Sequence, residues 1–224
     1  MERHFDTALA QLKEKLLKMA GKVEEAISLS IKALVERDEA LAQKIIREDE
    51  VINRIEIEID EMALKLLALH QPTAVDLRFI IMALRINNDL ERMGDLAVNI
   101  SERTLDLVKH PPVLPLIDIP RMAVMAQKMV KDSLDSFVNK DAGLARSVCQ
   151  RDDEVDNLND QIFRELLTYM MQNTQNIQKA IDLMLVAKHL ERIADHATNI
   201  GEDVVYLVKG ETIKHHYLEE NREK

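Results

Sequence analysis

Leu90–Lys109 reads LERMGDLAVNISERTLDLVK, and Leu190–Lys209 reads LERIADHATNIGEDVVYLVK. Eleven of the twenty positions are identical at a constant offset of 100: Leu90, Glu91, Arg92, Asp95, Ala97, Asn99, Ile100, Glu102, Leu107, Val108 and Lys109 recur. Self-similarity at a fixed spacing signals a structural unit used twice. Earlier in each half the offset is 103, so that Val35, Asp38, Leu41 and Asp49 recur as Val138, Asp141, Leu144 and Asp152, while Asn53 meets Asp156. The second half is therefore three residues shorter between its second and third elements.

Working outward from this pair, apolar residues fall at helical spacing almost throughout. Leu9, Leu12, Leu16, Met19, Val23, Ile27, Ile31 and Leu34 form one stripe. After the charged junction Glu36-Arg37-Asp38, a second stripe runs through Ile45, Ile52, Ile55, Ile59, Met62 and Leu66 to Pro72. A proline pushes the residue before it out of helical geometry, so Gln71–Asp76 reads as a turn, with Thr73 as cap and Asp76 as its capping-box partner. A third helix then carries Leu77, Ile81, Leu84, Leu90, Met93, Ala97, Ile100 and Leu107 on its apolar side. Three further stretches follow, over about 121–139, 142–171 and 176–209, and Gly210 closes the last.

The chain has 224 residues with only five Gly and five Pro, where average usage of about 7% and 5% would give more than twice as many. Four of the prolines, Pro111, Pro112, Pro115 and Pro120, fall together. Sandwiches, barrels and propellers need Gly and Pro at many turns, so the expected fold is all-α. Six long helices form two pseudo-symmetric three-helix bundles, 1–110 and 121–210, joined by a proline-rich linker at 111–120 and followed by a charged tail at 211–224.

The net charge is −10 and there is no Trp, which disfavours nucleic acid and anionic lipid as direct partners and favours cations and basic protein surfaces. The single Cys149 excludes an intramolecular disulfide and reads as a small core residue. No apolar run reaches the length of a membrane span and no signal-peptide core is seen, so a cytoplasmic location without membrane insertion is expected.

Apolar repeats are explained by packing, whereas repeated polar residues need another account. Glu91, Asp95, Asn99 and Glu102 lie within roughly 80° of one another around the helix axis, away from Leu90, Met93, Ala97, Ile100 and Thr104. Glu191, Asp195, Asn199 and Glu202 repeat that face. On the neighbouring helices stand Asp49 with Asn53, and Asp152 with Asp156. Carboxylates four apart repel and weaken a helix by a few tenths of a kcal/mol, a cost that a bound cation offsets. Two such pairs on adjacent helices supply oxygen ligands suited to Mg²⁺, Mn²⁺ or iron. The competing reading is a solvated acidic face balanced by Arg92 and Arg192.

His189 and His196 flank the second motif, but their counterparts are Asp89 and Leu96, so both read as bystanders near the surface. Arg78, Arg85 and Arg92 recur every seven residues, a rib read as serving surface ion pairs. Ala194 replaces Gly94, so no close backbone approach is expected at that glycine. The Glu-x-x-His signature of di-iron bundles is absent, as are phosphate loops, zincin motifs and nucleophile elbows.

Gln71-Pro72-Thr73-Ala74-x-Asp76-Leu77-Arg78, the two Leu-Glu-Arg motifs and Tyr206-Leu207-Val208-Lys209-Gly210 together resemble the PhoU family, over essentially the whole chain. The resemblance implies a non-enzymatic regulator of phosphate uptake and homeostasis that bridges the ATPase subunit of a phosphate ABC transporter and a sensor histidine kinase, and holds the phosphate-starvation response off. It also implies a homodimer, and surface-bound metal, iron or zinc in some members, at Glu91 with Asp95, Glu191 with Asp195, Asp152 with Asp156, and Asp49 with Asn53. Asn53 offers an amide oxygen where a carboxylate is usual and is expected to weaken the first site; Ala194 in place of the usual glycine is a mild change. The competing function is a metal-dependent enzyme or a metal storage or oxidation protein.

Overall fold

The computed structural model describes residues 2–111 and 118–213, with side chains from Phe5 onward. Among the described residues there is no strand; α1 (Glu2–Glu36), α2 (Glu39–His70) and α3 (Ala74–Val108) make the first half, and α4 (Asp118–Asn139), α5 (Ala142–Cys149), α6 (Asp152–Gln172) and α7 (Ile177–Lys209) the second. The long middle helix expected over 142–171 is thus divided at Gln150–Arg151, and α5 and α6 together are the counterpart of α2.

The duplication extends to backbone detail at the first turn of each half. Arg37 and Lys140 both take left-handed geometry (φ 57° and 53°), and the amides of Asp38 and Asp141 close back on Ala33 O and Ser136 O at 2.9 Å. Asp38 then caps α2 through Leu41 N, and Asp141 caps α5 through Gly143 N and Leu144 N. Each aspartate satisfies amides that lack a partner in the first turn. Arg37 also donates to the carbonyls of Leu107 and Val108 at 2.9 and 3.2 Å, a cation on the C-terminal carbonyls of α3.

Thr73 stands at the N-cap of α3 but makes no side-chain bond to the helix amides; its hydroxyl donates to Asp76 Oδ2 at 3.2 Å instead. The helix α4 begins at Asp118, inside the expected 111–120 linker. Pro120 therefore lies in its first turn, where its missing N–H would have no intrahelical partner. Linker residues 112–117 and tail residues 214–224 lie outside the described residues; Glu211–Ile213 are non-helical.

One continuous hydrophobic core serves both halves. The central helices α3 and α7 run antiparallel and pack along each other, α1 meets α4, and α2 and α5/α6 flank opposite sides. At the seam between α3 and α7, Arg85 pairs with Asp203 at 3.2 Å and Arg103 with Asp182 at 3.3 Å, and both aspartates are buried. His196 Nδ1 donates to Asp89 Oδ1 at 2.8 Å. Arg78 lies over the Tyr206 ring, 5.5 Å from its centroid. Arg78 and Arg85 thus join the halves instead of serving surface pairs, and His196 is a buried structural group, not a surface bystander.

Candidate metal centres

Each acidic site lies where the middle arm of a half packs on its central helix. Packing puts Leu90, Met93, Ala97, Ile100 and Thr104 inside, which leaves Glu91, Asp95, Asn99 and Glu102 on the outer side of α3, as the period requires. On α2, Ile52, Ile55 and Ile59 are buried, and Asp49 and Asn53 are brought to the edge facing α3.

In the first site, Asn53 Nδ2 donates to Asp49 Oδ2 at 3.0 Å. Burial pushes the Asp49 carboxyl above the ordinary range, and the Asp95 charge adds to this while the Asn53 bond opposes it. Burial likewise raises Glu91, helped by Asp95, Glu56 and Asp49. Four acidic side chains from α2 and α3 therefore feel one another. Glu56 stands two turns beyond Asp49 on the same face, but the repeat does not mark it, because its second-half counterpart is Asn159.

The second site has Asp152 and Asp156 on α6 against Glu191 and Asp195 on α7. Burial raises Asp152 to about 6, with Asp195 and Asp156 contributing and the nearby Thr198 hydroxyl opposing. Asp156 is raised by burial and by Glu191 and Asp195, and Asp195 by partial desolvation and by Glu191. Lys188 pairs with Glu191 and supplies part of the counter-charge. Thr198 had no repeat to flag it, since Val98 stands at the matching position.

His189 is half-buried; burial, with Arg192 and Arg103 nearby, lowers its pKa to about 4. The Cys149 thiol is raised to about 11 by burial and by Glu202.

Gly94 departs from expectation. A Cβ there would sit 3.3 Å from Ile52 Cδ1 and 3.5 Å from Asp49 Oδ1, so α2 does approach closely. The second half accommodates Ala194 because the residue matching Ile52 is the smaller Val155. A pocket of about 130 Å³ opens beside Asp49, lined by Ala26, Leu29, Val51 and Ile52 among others. At the corresponding place in the second half, Met129 replaces Ala26, and Arg151 pairs with Asp132 at 2.6 Å where Glu48 and Leu29 stand in the first.

The buried oxygens Asp49 Oδ1 and Asn53 Oδ1 have no hydrogen-bond donor. Oxygens that accept only, on carboxylates and on the Asn53 amide, fit a hard or borderline cation. Among the described residues, no three His, Cys, Asp or Glu side chains already converge as a ligand group.

Fold and sites together define an all-helical protein made of two copies of one unit, each with an acidic edge between its middle and central helices. The PhoU domain matches this chain twice, at residues 16–104 and 119–204. The phosphate-specific transport system accessory protein PhoU homologue of Aquifex aeolicus is 43% identical over 96% of this chain and 97% of its own length. That of Caulobacter vibrioides is 42% identical over 94% and 92%. The crystal structure of PhoU from Pseudomonas aeruginosa superposes with a TM-score of 0.90 at 38% identity, covering 92% of this chain and all of that one. The phosphate transport system regulatory protein PhoU from Streptococcus pneumoniae gives 0.87 at 32% identity, over 94% and 99%. The chain belongs to the PhoU family.

Proposed function

We propose that this protein is a regulator of phosphate transport, a metal-binding adaptor that links the ATPase subunit of a phosphate ABC transporter to a sensor histidine kinase and restrains the phosphate-starvation response. The supporting observation is near-full-length similarity to proteins named as phosphate-specific transport accessory proteins. No helix among the described residues is long and apolar enough to cross a membrane, in keeping with an accessory role beside a membrane transporter in the cytoplasm. A homodimer is part of the proposal.

The metal residues would be Asp49, Asn53, Glu91 and Asp95 in one site and Asp152, Asp156, Glu191 and Asp195 in the other. At either site these residues would hold a divalent ion, iron, zinc, manganese or magnesium, which would supply the positive charge that the repelling carboxylates lack. As an adaptor, the protein acts by preferring one conformation of its partner and shifting that population.

The test is recovery of tagged protein from phosphate-replete and phosphate-starved cells. Co-purification of the transporter ATPase and a sensor kinase is expected; recovery of neither under both conditions overturns the adaptor role. Elemental analysis of untagged protein against a Glu91→Ala/Glu191→Ala variant tests the metal, and equal, negligible content in both removes it. Turnover of Fe(II) with oxygen, or of phosphoesters, would overturn the non-enzymatic reading.

A further inference from the structure

Leu77 and Ile81, read from periodicity as part of the apolar side of α3, are exposed, and the core takes Ile80, Ala83 and Ile86 in their place. The same happens more strongly in the second half. Phe163, Leu167 and Met171 recur every four residues on α6, and Ile177, Ile181 and Leu185 do so on α7. All six are exposed, from 39% to 88%.

The two rows lie side by side. The Cys149 thiol reaches the Thr198 carbonyl at 3.7 Å just before α6 begins, so opposed residues on these antiparallel segments have numbers that sum to about 347. Extending that register toward the turn sets Phe163 near Leu185, Leu167 near Ile181, and Met171 near Ile177. Around each axis both rows fall on the same outward side as the acidic edge. Six large side chains then form one apolar strip, of the kind that marks an interaction surface in a folded protein.

The charge beside the strip decides what it fits. Seven and fourteen residues before Leu167 on the same face stand Asp160 and Asp153, both exposed and neither among the proposed metal residues. In all, α6 has six acidic residues against one basic, Arg164. Across the first half the matching strip is interrupted: Asp60 replaces Phe163, Ala68 replaces Met171, and Arg85, already paired with Asp203, replaces Leu185.

We infer that the outer face of α6 and α7 is a docking surface for an amphipathic basic helix of a partner protein, whose apolar side chains cover Phe163, Leu167, Met171, Ile177, Ile181 and Leu185 while its lysines or arginines meet Asp160 and Asp153. A helix laid in such a groove anchors through side chains three and four apart, and opposite charge sets its direction and speeds encounter. A second copy of this chain is the poorer occupant, because the net charge of −10 opposes self-contact at an acidic face. The inference rests on surface chemistry and does not require the phosphate role: peptide docking can fail while the cellular partners are recovered, and the reverse.

The probe is a fluorescein-labelled synthetic peptide of about 20 residues, as long as the face at about 1.5 Å per residue, with leucines at helical spacing in its first half and lysines on the same face in its second. Fluorescence anisotropy should show saturable binding that weakens with salt, falls by roughly tenfold or more in Leu167→Asp and in Ile181→Asp, and is unchanged in Leu64→Asp of the first half. Met171→Gln, at the most exposed position, serves if an aspartate variant loses its helical circular dichroism. No saturable binding, or equal weakening by Leu64→Asp, overturns the inference. So does sedimentation showing a dimer that Leu167→Asp dissociates, which gives the face to a second copy. Binding to phosphatidylcholine vesicles with the same dependence on Leu167 and Ile181 overturns it in favour of lipid.

Discussion

His196 Nδ1 lies 2.8 Å from Asp89 Oδ1, a hydrogen bond between α7 and α3 buried in the seam between the halves. The counterpart positions hold His189 and Leu96, so the repeat supplies no second polar link of this kind. Asp89→Leu would strand the His196 donor in the core, and a buried group left unpaired costs about 1–3 kcal/mol. Urea denaturation should show that loss in Asp89→Leu and a partial recovery in Asp89→Leu/His196→Leu. A double variant no better than the single would mean that the bond carries no coupling.

Gly201 marks a close approach inside the second half, where α7 packs on α5. A Cβ there would lie 2.9 Å from the Ala145 carbonyl oxygen and 3.2 Å from Cys149 Sγ. Gly→Ala inside a helix ordinarily gains up to about 1 kcal/mol, but here α5 must move. Gly201→Ala is expected to destabilise by about 1–3 kcal/mol, read as a lower urea midpoint; a higher midpoint would show that the helices part freely.

At Gly94 the obstructing group is a flexible isoleucine instead of backbone. Gly94→Ala alone should change stability little, as helix propensity and crowding oppose each other. Combined with Ile52→Val, which reproduces the Val155 and Ala194 pairing of the second half, it should show a favourable coupling of about 0.5–1 kcal/mol in a double-mutant cycle. Strict additivity would discount the close approach.

The Cys149 thiol, held near 11 by burial and Glu202, has almost no thiolate at pH 8. Since the thiolate is the nucleophile, alkylation by iodoacetamide at that pH should be slower by roughly a hundredfold or more than in the same protein unfolded in urea. Comparable rates would place the thiol in open solvent.

For Asp152, raised to about 6 by burial and by Asp195 and Asp156, the sign is set by the folded value lying above the unfolded one. The protonated acid contributes stability below the unfolded pKa, and that contribution disappears as pH rises through 6. Chelator-treated Asp152→Asn should therefore be more stable than the wild-type chain at pH 7.5, by about 1 kcal/mol after solvent screening, with the gain fading toward pH 4. Added Mn²⁺ or Zn²⁺ should reverse the order, because an ion that binds the folded state stabilises it. Thermal melts that ignore metal in both chains would count against the second site.

Helices α1, α2, α3, α4 and α7, the repeated acidic faces and the junction at Glu36-Arg37-Asp38 are legible in the chain. Each is set by local terms: period, capping residues, scarcity of glycine and proline, and identity at fixed offset. Periodicity locates a side chain around its own axis, but it does not say which neighbour covers it. That is why Leu77 and Ile81 fall on the periodic apolar stripe yet lie outside the core, and why the division between α5 and α6, at Gln150–Arg151 with no proline or glycine to mark it, is not legible in the chain. The links Arg85–Asp203, Arg103–Asp182 and Asp89–His196 join residues whose counterparts do not match them, so the repeat that revealed the fold concealed its seam.

By itself, then, the sequence determined the helices, their duplication and the acidic faces, because these follow from spacing along one chain. Only the tertiary structure decided the antiparallel register of α3 on α7, the carboxylates that face one another across helices, and the apolar strip left uncovered on α6 and α7. Those depend on distances between elements far apart in sequence, where burial and charge act through space.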